Sequence, residues 1–543
     1  MTGFDPIEFE LFKNIFVSIS EEMAAVLGRT ALSPNIKERR DFSCAVFDAA
    51  GETLAQGSHI PVHLGAMPLS VQAALEVIRF EDGDLVILND PFRGGTHLPD
   101  ITCISPIFHG KKLCFFAANR AHHSDVGGMT PGSMPLAMEI FQEGLIIPPL
   151  KLVRRGRMDE DVLSLILANV RTPEERRGDI LAQVASNIKG RRGIEESIAT
   201  HGLPKVLRYS RLVRDYTEKF LRETLRVIPD GTYSYADVLD DDGITGCRIR
   251  IGVEITIRGD LAKVDFSSSS LQVEGSVNAN FAVTCSAVLY VFRSLVNDDI
   301  PFNTGLMRPL EIIAPKGLVI NAEFPAATVG GNVETSQRIV DVLLGALAKA
   351  VPRRVQAASQ GTMNNVAFGG RNPGTGRPFA YYETIGGGMG ASAERNGLSG
   401  VHTHMTNSLN TPVEALENYL PIRIRRYGLR SGTGGAGRTR GGDGIIREYE
   451  FVVPSQVTII SERRKSRPYG LLGGRPGARG KNTLVRSGRA EILGSKINLR
   501  VVPGDILRIE TPGGGGYGRK PPPITSGRGI PRRRKPHGPA GRS

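Results

Sequence analysis

Tryptophan is absent from this 543-residue sequence, and cysteine occurs only five times, with no Cys-x-x-Cys pair. An odd, scattered set (Cys44, Cys103, Cys114, Cys247 and Cys285) argues against a disulfide framework. No apolar run approaches the ~20 residues of a membrane-spanning helix. The opening stretch, MTGFDPIEFELF, lacks the basic-then-apolar order of a secretion signal. A soluble cytoplasmic protein without a membrane partner is the expectation. Equally missing are a Gly-x-x-x-x-Gly-Lys-[Ser/Thr] phosphate loop, a Gly-x-Ser-x-Gly elbow and a cysteine beside a histidine, so neither that mode of nucleotide binding nor those nucleophiles are expected here. Gly513–Gly518 follows an apolar run but leads into proline-rich sequence rather than a helix, which excludes a dinucleotide fingerprint.

What the sequence does have begins with charge. Lys and Arg number 68 against 55 Asp and Glu, a net charge of +13. Eight of the basic residues fall between Arg519 and Ser543, where there is no acid. That Pro-, Gly- and Arg-rich tail cannot build a core and reads as a disordered, solvated extension. It has no aromatic residue to stack on bases, so a nucleic-acid partner is not expected.

The rest of the chain is mixed α+β. The expected divisions are an N-terminal α/β unit over 1–228, a β-rich body with few helices over 229–518, and the basic tail over 519–543. Asp5 and Pro6 open a helix in which Phe9, Phe12, Phe16, Ile19 and Met23 share one face, with Glu8 placed as a capping-box acid. Short strand-like runs follow at Cys44–Phe47, Leu85–Leu88, Ile101–Phe108 and Leu113–Ala118, then polar helices over about 173–188 and 205–227. Pro229-Asp230-Gly231 marks a boundary. Alternation from Ile249 to Ile257 gives a strand, Arg258-Gly259-Asp260 a turn, and Thr335–Ala350 a further helix.

Histidines gather on the loops at strand ends: His59, His63, His97 and the pair His122–His123. Two loops at the same end of adjacent strands place His97 and Asp100 beside His122, a set that suits a divalent transition metal and leaves positions open for water or substrate. In an extended segment His123 points away from His122. Set against this is the plainer reading of polar loop histidines bonded to backbone, which the clustering disfavours. Gly331–Arg338 opens a helix where Asn332 or Thr335 reads as a cap. His402 and His404 lie on one face of an extended run and read as metal ligands or as polar lining.

Several long strings resemble the hydantoinase B/oxoprolinase family. They include Ile36–Cys44, His59–Met67, Gly94–Asp100, His122–Gly128, Thr130–Pro135, Gly330–Arg338, Ser359–Asn365, His402–Asn407 and Ser461–Arg464. The resemblance runs in order from about residue 4 to 518. It implies one subunit of an ATP-dependent hydrolase acting on the C–N bond of a cyclic amide, a hydantoin or 5-oxoproline. ATP would be bound by a separate hydantoinase A-type partner in a hetero-oligomer. In carboxylase relatives a His-x-x-Asp element and a later His hold a metal, a pattern that falls on His97, Asp100 and His122. The metal implied is a divalent ion, Mn, Zn, Fe or Co. His123 or Asp125 would then relay a proton, and Glu38, Asp41, His59 and His63 would orient the ligands. Two rivals stand beside this: the metal-bearing subunit of an ATP-dependent ketone carboxylase, and a non-catalytic scaffold subunit.

Overall fold

In the N-terminal helix Pro6–Thr30 the Asp5 carboxylate caps the first turn, accepting from the backbone N–H of Ile7 at 2.9 Å and of Glu8 at 3.3 Å. Glu8 does not reach back to complete a capping box. Its carboxylate is taken by the Tyr209 hydroxyl at 2.7 Å and by Lys205, both on the helix Leu203–Arg226. Residues 5–519 are described by this computed structural model; the expected tail lies, from residue 520 onward, outside the described residues.

The first sheet has seven antiparallel strands: β1 (Phe42–Asp48), β2 (Thr53–Gln56), β3 (Leu85–Leu88), β4 (Asp100–His109), β5 (Lys112–His122), β6 (Leu150–Arg154) and β7 (Arg157–Met158), in the order β2-β1-β5-β4-β3-β6-β7. Every residue of β3 and nearly all of β1, β4 and β5 are buried, because both faces are covered. On one face lie Pro6–Thr30 and the helix Pro173–His201, which runs well past the expected end at 188. Gly190 permits this packing: a Cβ there would sit 2.4 Å from the Met23 sulfur and 2.9 Å from the Ala117 methyl. The opposite face carries Ser43, Asp100, Arg120 and His122, fixed together by the registers Asp100↔His122 and Ser43↔Arg120.

After residue 228 comes a four-stranded sheet containing Gly231–Leu239, Ile249–Arg258, Leu261–Asp265 and Leu310–Ile313, packed on the buried helices Phe281–Ser294 and Ser336–Ala350. The expected alternation over Ile249–Ile257 is the strand that forms its core face. Two further sheets, of four and five strands, enclose a second apolar core between Val366 and Ile509. The glycine clusters of the last third are not merely turns. A Cβ on Gly441 would lie 2.0 Å from the Gly514 carbonyl oxygen and one on Gly514 2.0 Å from that of Met389, so these segments pack backbone on backbone. Among the described residues no helix is long and apolar enough to cross a membrane.

Candidate metal centre

Asp100 begins β4 and His122 ends β5, directly opposite each other, so their side chains leave the same face of the sheet. His97 arrives from the turn before β4. That turn is held by its backbone: Gly94 has φ +80°, and its carbonyl accepts from Ser70 Oγ at 2.7 Å and from Arg120 Nη2 at 3.1 Å. Asn280 Nδ2 donates to the carbonyls of Gly95 at 3.2 Å and Thr96 at 2.9 Å. Glycine is required at 94, since any Cβ would fall 2.4 Å from the backbone of Leu69.

Three donor atoms converge. His97 Nε2 lies 3.2 Å from His122 Nδ1, and Asp100 Oδ1 is 3.2 Å from the first and 3.1 Å from the second. All three residues are buried. Neutral imidazoles can place at most one proton on each edge of such a triangle, and lone pairs that face each other without one repel. A cation at the centre resolves this. Donors at about 2.1 Å from an ion stand about 3.0 Å apart at right angles and about 3.4 Å apart at tetrahedral angles, which brackets the observed edges. The outer nitrogens, His97 Nδ1 and His122 Nε2, are buried without a hydrogen-bond partner among the described residues.

The second oxygen of Asp100 is committed elsewhere. Oδ2 accepts from Thr96 Oγ1 at 2.5 Å and from His63 Nε2 at 3.2 Å. The carboxylate at His63 Nε2 can only accept, which fixes the tautomer: Nε2–H donates to Asp100, and Ser43 Oγ, 2.9 Å from Nδ1, donates to that nitrogen. Burial lowers the pKa of His63 and keeps it neutral. Burial alone would raise Asp100, but the imidazoles of His97 and His63 and the hydrogen bonds from His122 and His63 hold it well below the usual carboxylate range. Asp100 and His122 line a cavity of about 20 Å³, room for roughly one water-sized sphere, with His97 behind them.

The other expected residues divide. Asp41 lines this cavity; its backbone carbonyl accepts from His122 N–H at 2.9 Å and its carboxylate lies 3.6 Å from Arg39. Glu38, by contrast, is half-buried, with no side-chain partner among the described residues. His59 is turned to an outer cleft, its Nδ1 accepting from Cys44 N–H at 3.3 Å and its Nε2 lying 3.5 Å from Glu21. His123 and Asp125 are not brought to the triad. One residue past His122, His123 faces the helical side of the sheet, where Nε2 meets Gln183 Oε1 at 2.9 Å. Asp125 accepts from the N–H groups of Gly127 and Gly132 and from Arg171 Nη1 at 2.9 Å, which ties a loop. His404 has φ +59°, so the run from His402 is not extended; His404 Nδ1 meets the Tyr290 hydroxyl at 3.4 Å and His402 bonds Asn410 at 3.2 Å.

Residues that sequence reasoning missed complete the cavity. The Tyr382 ring stacks on His122 with centroids 4.4 Å apart, and its hydroxyl donates to Asn365 Oδ1 at 2.8 Å. Nothing in the alternation of its strand marks Tyr382 as special. Asn332 does not cap a helix: it lies in a π-helical turn, Gly331–Thr335, lines the cavity and leaves its buried Oδ1 unpartnered. Thr335 donates to the Val277 carbonyl at 2.5 Å, so it is no cap either. The N–H groups of Thr328 and Val329 are instead satisfied by the buried Glu143 carboxylate, at 2.7 and 2.9 Å.

A buried two-histidine, one-carboxylate set at the ends of two central strands, beside a small cavity, has the donor composition of a mononuclear metal site. The sequence profile of the Hydantoinase B/oxoprolinase family matches residues 5–520, and the chain belongs to that family. It is 43% identical to an uncharacterized protein of Methanocaldococcus jannaschii, over 95% of this chain and 91% of that one. It is 42% identical to 5-oxoprolinase 1 of Arabidopsis thaliana, again over 95% of this chain but over only 42% of the plant protein. A Pseudomonas protein described as one subunit of a putative D-/L-hydantoinase is 31% identical, with 95% and 90% covered. Among solved structures, an ATP-dependent caprolactamase from Pseudomonas jessenii superposes with a TM-score of 0.89 at 28% identity, covering 95% of this chain and 92% of that one. A nucleotide-free acetone carboxylase shares the fold with the same TM-score at 20% identity, with 95% and 76% covered.

Proposed function

We propose that this chain is the ring-opening subunit of an ATP-dependent cyclic-amide hydrolase, acting on a hydantoin or 5-oxoproline that a hydantoinase A-type partner has phosphorylated on the amide oxygen. The convergence of His97 Nε2, Asp100 Oδ1 and His122 Nδ1 carries this reading. Relatives named for lactam and hydantoin hydrolysis support it over the carboxylase alternative. The 5-oxoprolinase of Arabidopsis has more than half its length beyond the part that this chain matches. We assign the ATP step to the counterpart of that remainder, here on a separate subunit.

His97, Asp100 and His122 would hold a divalent ion, Mn, Zn, Fe or Co. Such an ion supplies a Lewis acid that lowers the pKa of water and polarises an electrophilic carbon. His63 and Thr96 fix the Asp100 carboxylate so that one oxygen faces inward, and Tyr382 holds the plane of His122. Asp41 is the cavity carboxylate outside the ligand set, so it takes the proton of the attacking water. This replaces the relay through His123 and Asp125, which face other elements. Water adds to the ring carbon that bears the phosphorylated oxygen, the C–N bond breaks and the nitrogen takes a proton. A second water then divides the acyl phosphate into carboxylate and phosphate. His59 lies further out, against Glu21, and Glu38 has no assigned part.

Elemental analysis of the purified chain beside His97→Ala and His122→Ala is the deciding measurement. Near-stoichiometric metal in the wild type, lost from both variants, is the expected outcome. A folded wild type that takes up no metal on reconstitution overturns the mechanism. With the partner and ATP, turnover of 5-oxoproline or hydantoin is expected. Turnover of acetone with bicarbonate would favour the carboxylase, and full hydrolysis by His97→Ala would favour a scaffold.

A further inference from the structure

The cavity at the triad, about 20 Å³, holds no five-membered ring as it stands. Just outside it lies a cleft of about 490 Å³, within the common range of about 300–1,000 Å³ for small-molecule sites. Two features join the two spaces. Ile60 lines both, and the consecutive residues Arg40, Asp41 and Phe42 alternate between them: Arg40 and Phe42 line the cleft and Asp41 the cavity.

The cleft has a divided chemistry. Its floor is apolar and hollowed by small residues: Ala24, Ala25 and Gly28 succeed one another on the last turns of the N-terminal helix, where larger side chains would fill the space. Its rim carries Arg29, Lys37 and Arg40, all exposed and none in an ion pair among the described residues. The one carboxylate, Glu21, is already engaged: it accepts from Ser58 N–H at 3.2 Å and lies 3.5 Å from His59 Nε2. Three uncommitted cations over an apolar floor match a small ring that bears a phosphate.

We infer that this cleft is a binding site for a small phosphorylated ring, the station at which the anionic activated amide waits outside the metal cavity. The identity of that ligand rests on the ring-opening reading above; the cleft's affinity for phosphate does not. Guanidinium and ammonium groups hold the phosphate at the rim while the floor takes the ring, and Ile60 is the residue between ligand and triad.

Calorimetric titration of the full chain with inorganic phosphate and with phenyl phosphate, at low ionic strength, tests this without a partner or turnover. Phenyl phosphate is expected to bind more tightly than phosphate, because only it uses the floor. Replacing Arg29, Lys37 and Arg40 together by Ala is expected to weaken both ligands by at least about tenfold. These residues are exposed, and circular dichroism verifies the fold. Ala25→Leu is expected to weaken phenyl phosphate and spare phosphate. His97→Ala is expected to leave both unchanged. Equal binding by the triple variant, or binding lost in His97→Ala, overturns the site. Phosphate binding without any ring opening would sink the reaction and leave the cleft standing; ring opening unaffected by the triple variant would do the reverse.

Discussion

Two buried polar clusters in this molecule are built on opposite plans. Around Glu462, acids and bases are interleaved: Lys496 Nζ lies 2.5 Å from Glu462 and 3.5 Å from Asp241, and Arg463 lies 2.6 Å from Asp341 and 2.7 Å from Asp237. Asp240 adds the backbone N–H groups of Arg464, Lys465 and Ser466. Lys496 and Arg463 each face two carboxylates there. At the triad two imidazole nitrogens and a carboxylate oxygen converge, and the nearby guanidinium of Arg120 is directed away from them, to Thr102, Ser70 and the Gly94 carbonyl. The first cluster closes on itself and holds sheets and helices together. The second is complete only with something added. A buried polar group that is satisfied speaks for architecture, and a convergent surplus of one kind speaks for a ligand.

The largest expected effect comes from breaking the closed cluster. Lys496→Met removes the cation nearest the buried Glu462, which then has only Arg338 at 3.5 Å among the described residues, while Asp241 keeps Lys465 at 2.8 Å, and is expected to cost about 3–5 kcal/mol in chemical denaturation. A loss below about 1 kcal/mol would show that the interleaving is not what stabilises it. A smaller effect is expected at the open cluster from a residue that touches no metal. His63→Ala frees the second oxygen of Asp100 and is expected to weaken metal binding about 10–100-fold in competition with a chelator. Unchanged affinity would mean that Thr96 alone aims the carboxylate.

The open cluster is largely legible in the sequence and the closed one is not. His97, Asp100 and His122 stand on two loops that flank a strand pair, so their meeting follows from local pairing. Lys496, Glu462, Arg338 and Asp241 come from four distant stretches, and nothing local marks Lys496 as buried. The same limit explains Tyr382, which reaches His122 from a strand some 260 positions away in a different sheet. The assignment of His123 and Asp125 fails for a different reason: proximity in sequence to His122 is not proximity in space, because one residue of extended chain reverses the face. Asn332 is visible in the sequence but reads as a cap, because a π-helical turn has no signature distinct from an α-helical start. The N-terminal helix and the hairpin from Ile249 follow their periodicity closely, since each buries one continuous apolar face.

Glu334 lies between the two clusters and provides the smallest and most specific test of their difference. Its Oε1 accepts from Met363 N–H at 3.1 Å and from Asn365 Nδ2 at 2.7 Å, while Oε2 is buried without a partner. Through Asn365 it holds Tyr382, and through Tyr382 the ring of His122. Burial, and then the charge of Glu462, push its carboxyl up from 4.5 to about 8. Over that interval the folded protein keeps a proton that the unfolded chain has released, so stability falls as pH rises, by about 1.4 kcal/mol per pH unit for each such group. Glu143, also raised to about 8 by burial, contributes in the same direction. Glu334→Gln keeps the accepting oxygen and removes the titration. The variant is therefore expected to lose stability with pH less steeply than the wild type between about pH 5 and 7.5, by up to about 1.4 kcal/mol per unit, in denaturation series across that range. Parallel slopes would mean that Glu334 is ionised in the folded state and that the closed cluster extends to it. A shallower slope with unchanged metal content would instead make this acid the neutral spacer that keeps the two clusters electrostatically apart.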